Sequence, residues 1–217
     1  MPLQIFCQNC GPLATNAYLL HETEENILVI VDPAIDADEL LERARQLVAE
    51  GARFAAIWNT HGHFDHVYDN ALWKAEFNVP VFTHPADAFF LEHLREQALW
   101  FGLPAPEVVP ADNELHEGDT LQIGKESARV WELPGHSPGS VAFDFGTAWI
   151  VGDVLFQGSV GRTDLPSGDA LTLARSIERL WQLPDETLVL PGHGGSTTIG
   201  SEKQSNEVAR QLLEVIR

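Results

Sequence analysis

The chain has 217 residues, of which 44% are hydrophobic, which is enough for one sizeable core but short for two. Its 13 lysines and arginines stand against 32 aspartates and glutamates, and the formal charge of −19 argues against a nucleic-acid partner because phosphates would be repelled. No run approaches the roughly 18 apolar residues that a membrane span needs, and the start lacks a basic leader with an apolar signal core, so we expect a cytoplasmic protein.

No linker, low-complexity tract or long charge run interrupts the chain, so the sequence predicts one domain over residues 1–217. The only cysteines, Cys7 and Cys10, are too few for a disulfide scaffold. Their C-x-x-C spacing would suit a redox pair, but Gly11 and Pro12 follow where such a pair needs the start of a helix. We therefore expect a structural role for both cysteines.

The first half of the chain alternates predicted strands and helices. Continuous apolar runs indicate buried strands, and apolar residues at helical spacing indicate helices. The elements predicted in chain order are a strand over 26–34, a helix over 36–51, a strand over 53–60, a helix from Phe64, a strand over 79–84 and a helix over 85–102.

The second half begins with short β-like segments separated by turn residues. The elements predicted there are strands within 119–124, 127–135, 140–146 and 147–153, a helix over 169–183, a strand over 187–192 and a last helix from Ser201. The last helix is placed at Ser201 because the sequence S-E-K-Q fits a capping box. Strands and helices that alternate in both halves, with extra strands between, predict an α+β fold of packed sheets with helices outside.

The stretch "NTHGHFDHVYDN", residues 59–70, concentrates three of the nine histidines of the chain. Its candidate ligands are His61, His63, Asp65 and His66. A solvated surface patch would not explain why the cluster directly follows an apolar strand, where the sites of α/β proteins usually lie. A loop that leaves this strand can turn all four side chains inward, with Gly62 easing the bend. The pattern therefore predicts a metal site.

Four side chains at such short spacing cannot all bind one tetrahedral ion and leave an open position, so two metals are favoured if further ligands come from elsewhere. Three further candidates each follow a glycine at the end of an apolar strand. These are His136, Asp153 and His193.

The order T-H-x-H-x-D-H, a distant His, an Asp after a strand and a final His resembles the signature of the metallo-β-lactamase superfamily, over nearly the whole chain. The resemblance implies a four-layer αββα sandwich with two metals between the sheets. By this resemblance, one metal is held by His61, His63 and His136, the other by Asp65, His66 and His193, and Asp153 bridges them. Zinc is the expected metal, with iron or manganese as alternatives, because imidazole and carboxylate accept all three.

Aspartate at position 153 is similar to the glyoxalase II, persulfide dioxygenase and lactonase branches, whereas antibiotic-hydrolysing members typically carry cysteine or serine there. The Gly-Arg-Thr-Asp stretch within 152–169 resembles both short bacterial glyoxalase II-like hydrolases and persulfide dioxygenases. The stretch 191–206 resembles the short hydrolases more. Only residues 194–217 follow His193, so we expect no helical C-terminal domain of the kind that carries the glutathione contacts of full-length glyoxalase II.

These features predict a dinuclear hydrolase of small acyl thioesters, with S-lactoylglutathione as the first substrate to test. Two metals would lower the pKa of a shared water from 15.7 towards roughly 7, and Asp65 would orient the hydroxide and take its proton. A thiolate with a pKa near 8.5 needs little help to leave. Arg162 and Lys203 are candidate substrate contacts, although Arg162 is equally suited to an ion pair with Asp164 or Asp169.

Two other activities remain open. A mono-iron persulfide dioxygenase would use His61, His136 and Asp153 as a two-histidine, one-carboxylate triad. A lactonase, or another metal-dependent ester hydrolase, would use the same centre as the thioesterase. The G-x-S-x-G match at 135–139 is discounted as a serine nucleophile, because a strand and not a helix is predicted after it. The expected partner is a small molecule, with neither nucleic acid nor membrane, and the oligomeric state is open.

Overall fold

The computed structural model describes residues 2–216. The first half of the chain contains β1 (Leu3–Cys10), β2 (Thr15–Glu22), β3 (Ile27–Val31), α1 (Asp38–Ala49), β4 (Arg53–Trp58), α2 (Phe64–Val67), α3 (Asn70–Phe77), β5 (Val81–Thr83), a 3₁₀ turn (Pro85–Asp87), α4 (Ala88–Glu92), α5 (Leu94–Trp100) and β6 (Asn113–Glu114). The second half contains β7 (Thr120–Ile123), β8 (Glu126–Glu132), β9 (Val141–Asp144), β10 (Ala148–Gly152), β11 (Leu155–Phe156), β12 (Ser159–Val160), α6 (Ala170–Leu180), β13 (Leu188–Pro191), β14 (Thr197–Thr198), α7 (Ile199–Ser205) and α8 (Glu207–Glu214).

Two six-stranded mixed sheets form the centre of the molecule. The first has the order β1-β2-β3-β4-β5-β6, with its parallel part from β3 to β6, and the second has the order β14-β13-β10-β9-β8-β7. A separate hairpin pairs β11 with β12. In the second sheet β8, β10 and β13 run in the same direction, so their carboxyl ends share one edge.

The core between the sheets explains the continuous apolar strands. Alternate residues of β3 point to opposite faces, so Val29 and Val31 meet the other sheet while Leu28 and Ile30 face the outer helices. Trp58 packs on Phe143 across the interface, with ring centroids 5.3 Å apart. A strand buried on both faces cannot show the polar alternation of a half-exposed one.

Helices cover the outer face of each sheet. Leu40 and Trp73, from α1 and α3, pack against the first sheet, and Ile177 and Leu213, from α6 and α8, pack against the second. The expected four-layer αββα sandwich is therefore confirmed. Within residues 2–216, every helix is too short or too polar to cross a bilayer.

The two sheets are joined directly where β2 passes the end of β13. The Asn16 N–H donates to the Gly192 carbonyl at 2.7 Å, and the Tyr18 hydroxyl donates to the Pro191 carbonyl at 2.6 Å. The Asn16 amide also donates to Pro191, which lies 175 residues further along the chain. These bonds hold the N-terminal hairpin against the segment that carries His193.

Several helix boundaries differ from those expected. The helix from Phe64 ends at Val67 before α3 begins, and the helix over 85–102 is divided at His93. The last helix begins before Ser201, because the Thr198 hydroxyl accepts from the Ser201 N–H at 3.2 Å. The capping box placed at Ser201 is therefore wrong, and Asn206 ends α7 and caps α8 by accepting from Ala209 N–H at 2.9 Å.

Both cysteines lie on β1 as free thiols, Cys7 exposed and Cys10 buried. Burial raises the pKa of Cys10 to about 12, so its thiol stays protonated at neutral pH. This protonation agrees with the structural role expected for the buried cysteine.

Candidate metal centre

The seven candidate ligands meet at the edge where the strands of both sheets end. The histidine cluster follows β4 of the first sheet, and the other three candidates follow β8, β10 and β13 of the second. The residues brought together in this way are His61, His63, Asp65, His66, His136, Asp153 and His193. All are buried except His193, which is half-buried.

One group of three histidines can offer its ring nitrogens to a single ion. His61, His63 and His136 have ligand atoms that lie within 4.8 Å of one another, and His63 Nδ1 is 2.8 Å from His136 Nε2. Burial lowers the pKa of His61 well below its usual range and that of His63 to about 3. Both rings are therefore neutral at physiological pH, which is the form that binds metals.

A second group pairs a carboxylate with two histidines. His66 Nε2 and His193 Nε2 lie 3.5 and 3.4 Å from Asp65 Oδ2, and the three ligand atoms fall within the same 4.8 Å limit. Asp65 Oδ2 also accepts from the Thr15 hydroxyl at 2.8 Å. The carboxylate is therefore fixed in orientation from the side of β2.

Asp153 lies between the two groups. Its Oδ1 is 3.3 Å from His66 Nε2, and its Oδ2 is 3.4 Å from both His136 Nε2 and His193 Nε2. Burial alone would raise the pKa of this carboxyl, but His66 and His193 hold it well below its usual range. An ionised carboxylate that contacts histidines of both groups is suited to bridge two cations.

Buried polar atoms without partners support the binding of cations here. His61 Nε2, His66 Nε2 and Asp153 Oδ1 have no hydrogen-bond partner, and neither has Nε2 of His63, whose Nδ1 faces His136. Leaving a buried polar atom unpaired costs about 1–3 kcal/mol. Several such atoms in one cluster of imidazoles and carboxylates fit a pair of metal ions as the missing partners.

The outward-facing nitrogens of four histidines are held by other groups, which aims the remaining nitrogens into the centre. These partners are Thr60 Oγ1 for His61 at 3.0 Å, Asp32 Oδ2 for His66 at 2.9 Å, the Arg162 carbonyl for His136 at 2.8 Å and the Leu13 carbonyl for His193 at 3.1 Å. Sequence reasoning missed Asp32 and Thr60. The available signal was the Asp-Pro pair that ends the buried run of β3.

Asp87 is a third missed residue, because the sequence placed it inside a predicted helix. This fully buried carboxylate accepts from Gly62 N–H at 2.8 Å, the Ser137 hydroxyl at 2.7 Å and Gly139 N–H at 2.6 Å. It thereby ties the histidine cluster to the loop that carries His136. Ser137 is buried and donates to Asp87, so it is not placed as a nucleophile.

Two glycines allow the backbone to approach the centre closely. At Gly192 a Cβ atom would clash with Asp153 Oδ1 and lie 2.7 Å from Cε1 of His66. Gly152 has a φ of 51°, and a Cβ there would lie 2.7 Å from that of Thr60. A side chain at either position would therefore displace a group of the centre.

A cavity of about 420 Å³ opens onto the centre. Arg162 lines it, but its guanidinium forms a bidentate pair with Asp164 at 2.6 and 2.7 Å, one of the alternatives expected for it. Asp169 instead caps α6. Lys203 lies elsewhere, bound to Asp185 at 2.6 Å, and the structure gives no support for a substrate contact by it.

Comparison with known proteins agrees with this geometry. The model of the metallo-beta-lactamase superfamily matches residues 10–193. Hydroxyacylglutathione hydrolase GloC of Haemophilus influenzae is 37% identical over 211 residues, covering 95% of this chain and 94% of GloC. The probable metallo-hydrolase YqgX of Bacillus subtilis is 35% identical, covering 90% of this chain and 92% of YqgX.

Solved structures show the same fold. BLEG-1 B3 metallo-beta-lactamase has a TM-score of 0.84 at 37% identity, covering 94% of this chain and 98% of BLEG-1. TTHA1623, in a di-iron-bound form, has a TM-score of 0.83 at 41% identity, covering 93% of this chain and 98% of TTHA1623. This chain belongs to the metallo-beta-lactamase superfamily.

Proposed function

We propose that the protein is a dinuclear metal-dependent hydrolase of small acyl thioesters. The observation that carries the proposal is the position of Asp153, whose two oxygens contact histidines of both ligand groups. His61, His63 and His136 would hold one ion, and Asp65, His66 and His193 the other. GloC, a hydroxyacylglutathione hydrolase, supports thioesters as the first substrate class to test.

The ions are divalent in this proposal. Zinc is the first choice because neutral imidazoles and carboxylates suit it. Iron is the next, since the TTHA1623 relative was solved in a di-iron form, and manganese accepts the same ligand types. Once bound, such a pair makes hydroxide available at neutral pH and polarises the substrate carbonyl.

Asp65 is the group that we assign to move the proton. Thr15, His66 and His193 all contact its Oδ2, which holds the carboxylate while Asp65 lines the cavity. As water attacks the acyl carbon, its proton passes to Oδ1 of Asp65, the carbon–sulfur bond breaks, and the proton then reaches the departing thiolate. The products are a carboxylic acid and a thiol. A thiolate with a pKa near 8.5 needs no strong acid to leave.

A mono-iron dioxygenase accounts for less of the site. It needs only His61, His136 and Asp153, which would leave Asp65, His66 and His193 converging without a role. A β-lactam substrate has one observation in its favour, the likeness to BLEG-1, which is named a B3 metallo-beta-lactamase.

The test measures metal per chain on native protein, then thiol release from S-lactoylglutathione by zinc- and iron-loaded samples. Separate portions of the same samples are given glutathione persulfide, a lactone or a chromogenic β-lactam. Oxygen uptake is recorded with the persulfide. We expect two metals and thiol release. Oxygen uptake with one iron per chain and no thiol release would overturn the hydrolase proposal. Turnover of the β-lactam without thiol release would replace thioesters by β-lactams as the substrate class.

The matched variants are Asp153→Ala and Asp185→Asn. Asp153→Ala should release at least one metal and lower turnover by several orders of magnitude, because the bridge between the ligand groups is lost. Asp185→Asn also removes one carboxylate, but from the surface beside Lys203. This variant should keep the native metal content and the native turnover. Two tightly bound ions and near-native turnover in Asp153→Ala would remove the dinuclear model.

A further inference from the structure

The cavity in front of the metal centre has an apolar wall. Besides Leu13, six large apolar side chains line it, from the segments around α2, α4 and α5 and from the loop before α6: Phe64, Phe89, Phe90, Trp100, Phe101 and Leu165. Phe90 packs edge-on against His63 with ring centroids 4.7 Å apart, and Phe89 lies 5.8 Å beyond Phe90. The wall therefore begins at a candidate ligand and continues outward to the surface.

The outer part of this wall is exposed to solvent. Trp100 is 73% exposed, Phe89 54% and Phe101 50%. Single exposed apolar residues are ordinary, but a contiguous group that lines one cavity marks a binding site for an apolar group. The same cavity is lined by Asp65, His136 and Asp153, so whatever fills it is held next to the proposed reaction centre.

The charges of the cavity do not suit an anionic substrate. Among the residues that the structure describes, Arg162 is the only lysine or arginine lining the cavity, and Asp164 neutralises it. Glu96 adds a negative charge to the same lining, and the whole chain carries −19. A glutathione conjugate brings two carboxylates, for which the described lining offers no lysine or arginine that is free of an acidic partner.

We propose that the substrate carries a bulky, uncharged apolar group, aromatic or medium-chain aliphatic, that fills this cavity while the thioester carbonyl lies at the metal centre. This inference rests on the proposed hydrolase function. The aromatic rings and the leucine of the wall give dispersion contacts and release water when such a group enters. Trp100 and Phe89 are then specificity-determining residues, because a group that fills the cavity covers their exposed rings.

The test compares thioesters of one neutral thiol, N-acetylcysteamine, that differ only in the acyl group: lactoyl, hexanoyl and phenylacetyl. A second arm places the apolar group on the thiol, as the lactoyl thioester of benzyl mercaptan. We expect kcat/KM at least tenfold higher for an apolar group in one of the two arms, mainly through KM. The arm that shows the gain identifies which side of the scissile bond the cavity receives.

Variants assign the effect to the wall. Trp100→Ala and Phe89→Ala should each lower the apolar-to-lactoyl ratio of kcat/KM at least fivefold. The matched control is Leu99→Ala, since Leu99 is 60% exposed beside Trp100 but does not line the cavity; it should keep the native ratio. Calorimetry with the non-hydrolysable phenylacetyl amide analogue gives an independent reading, and its affinity should fall in Trp100→Ala but not in Leu99→Ala.

The two proposals fail in different ways. If neither S-lactoylglutathione nor any thioester of the two arms is hydrolysed by the metal-loaded protein, the hydrolase proposal fails, and the amide analogue alone decides whether the cavity binds apolar groups. If S-lactoylglutathione alone is hydrolysed, the apolar specificity is wrong and the hydrolase stands. If the lactoyl thioester of N-acetylcysteamine is hydrolysed as well as every apolar substrate, and Trp100→Ala leaves all ratios and the analogue affinity unchanged, the apolar specificity is wrong and the hydrolase stands.

Discussion

Replacing Asp87 by asparagine should destabilise the protein strongly, although the side chain keeps its size. Asp87 Oδ1 accepts from Gly139 N–H, and Oδ2 accepts from Gly62 N–H and the Ser137 hydroxyl. Asparagine offers only one acceptor oxygen, so in either amide orientation one buried backbone N–H loses its acceptor and faces another donor. An unsatisfied buried donor costs about 1–3 kcal/mol, and the remaining bonds lose the strength that the charge gave them.

We therefore expect Asp87→Asn to lower the free energy of unfolding by about 2–4 kcal/mol. The measurement is urea denaturation of metal-free protein at pH 7, so that metal binding does not contribute. Ser137→Ala is the control, because it removes one donor and leaves both backbone donors paired; its expected cost is about 1 kcal/mol. A loss below about 0.5 kcal/mol in Asp87→Asn would refute the assignment of Asp87 as the acceptor that joins the two loops.

Three further predictions concern single carboxylates and Arg162. Asp32→Asn removes the carboxylate that holds His66 Nδ1 and should weaken zinc binding about 10–100-fold in competition with a chelator; an unchanged affinity would show that Asp32 does not orient the ligand. Burial, together with Asp36 and Asp38, raises the pKa of Asp69 from 3.8 to about 7. The native state therefore binds this proton more tightly than the unfolded state, and stability is lost as the pH rises to about 7. Because water reaches part of the side chain, Asp69→Asn should stabilise the protein by about 1–2 kcal/mol at pH 8 and by little at pH 4; an equal effect at both pH values in urea titrations would contradict this. Arg162→Ala should lower kcat/KM equally for neutral and anionic thioesters, because Asp164 already pairs the guanidinium; a rise in KM for the anionic substrate alone would assign Arg162 to substrate binding.

The sequence was sufficient to place the ligand candidates because each one follows an apolar strand. His61, His136, Asp153 and His193 lie at strand ends that the pattern of apolar runs located, and the packing of the two sheets brings those ends to one edge. Strand period and turn residues are local properties, so a single sequence displays them.

The groups that support the ligands could not be found in the same way. Asp87 lies in a segment with helical spacing, and its role depends on Gly62 and Gly139, which only tertiary structure brings near it. The break at Asn206 is also decided by packing. Asn206 is fully buried and bonds to Glu202 of α7 and to backbone carbonyls of β11 and β12, contacts that override the helical pattern.

The bonds between β2 and the end of β13 bear on the order in which the chain is assembled during synthesis. Asn16 needs the carbonyls of residues 191–194 as partners, and Tyr18 needs that of Pro191. These partners are made more than 170 residues after β2, so the start of β2, which does not pair with β3, must wait for them. Contacts of such long sequence separation form slowly. His193 arrives on the same segment, so the last candidate ligand and the bonds between the two sheets are added in one event.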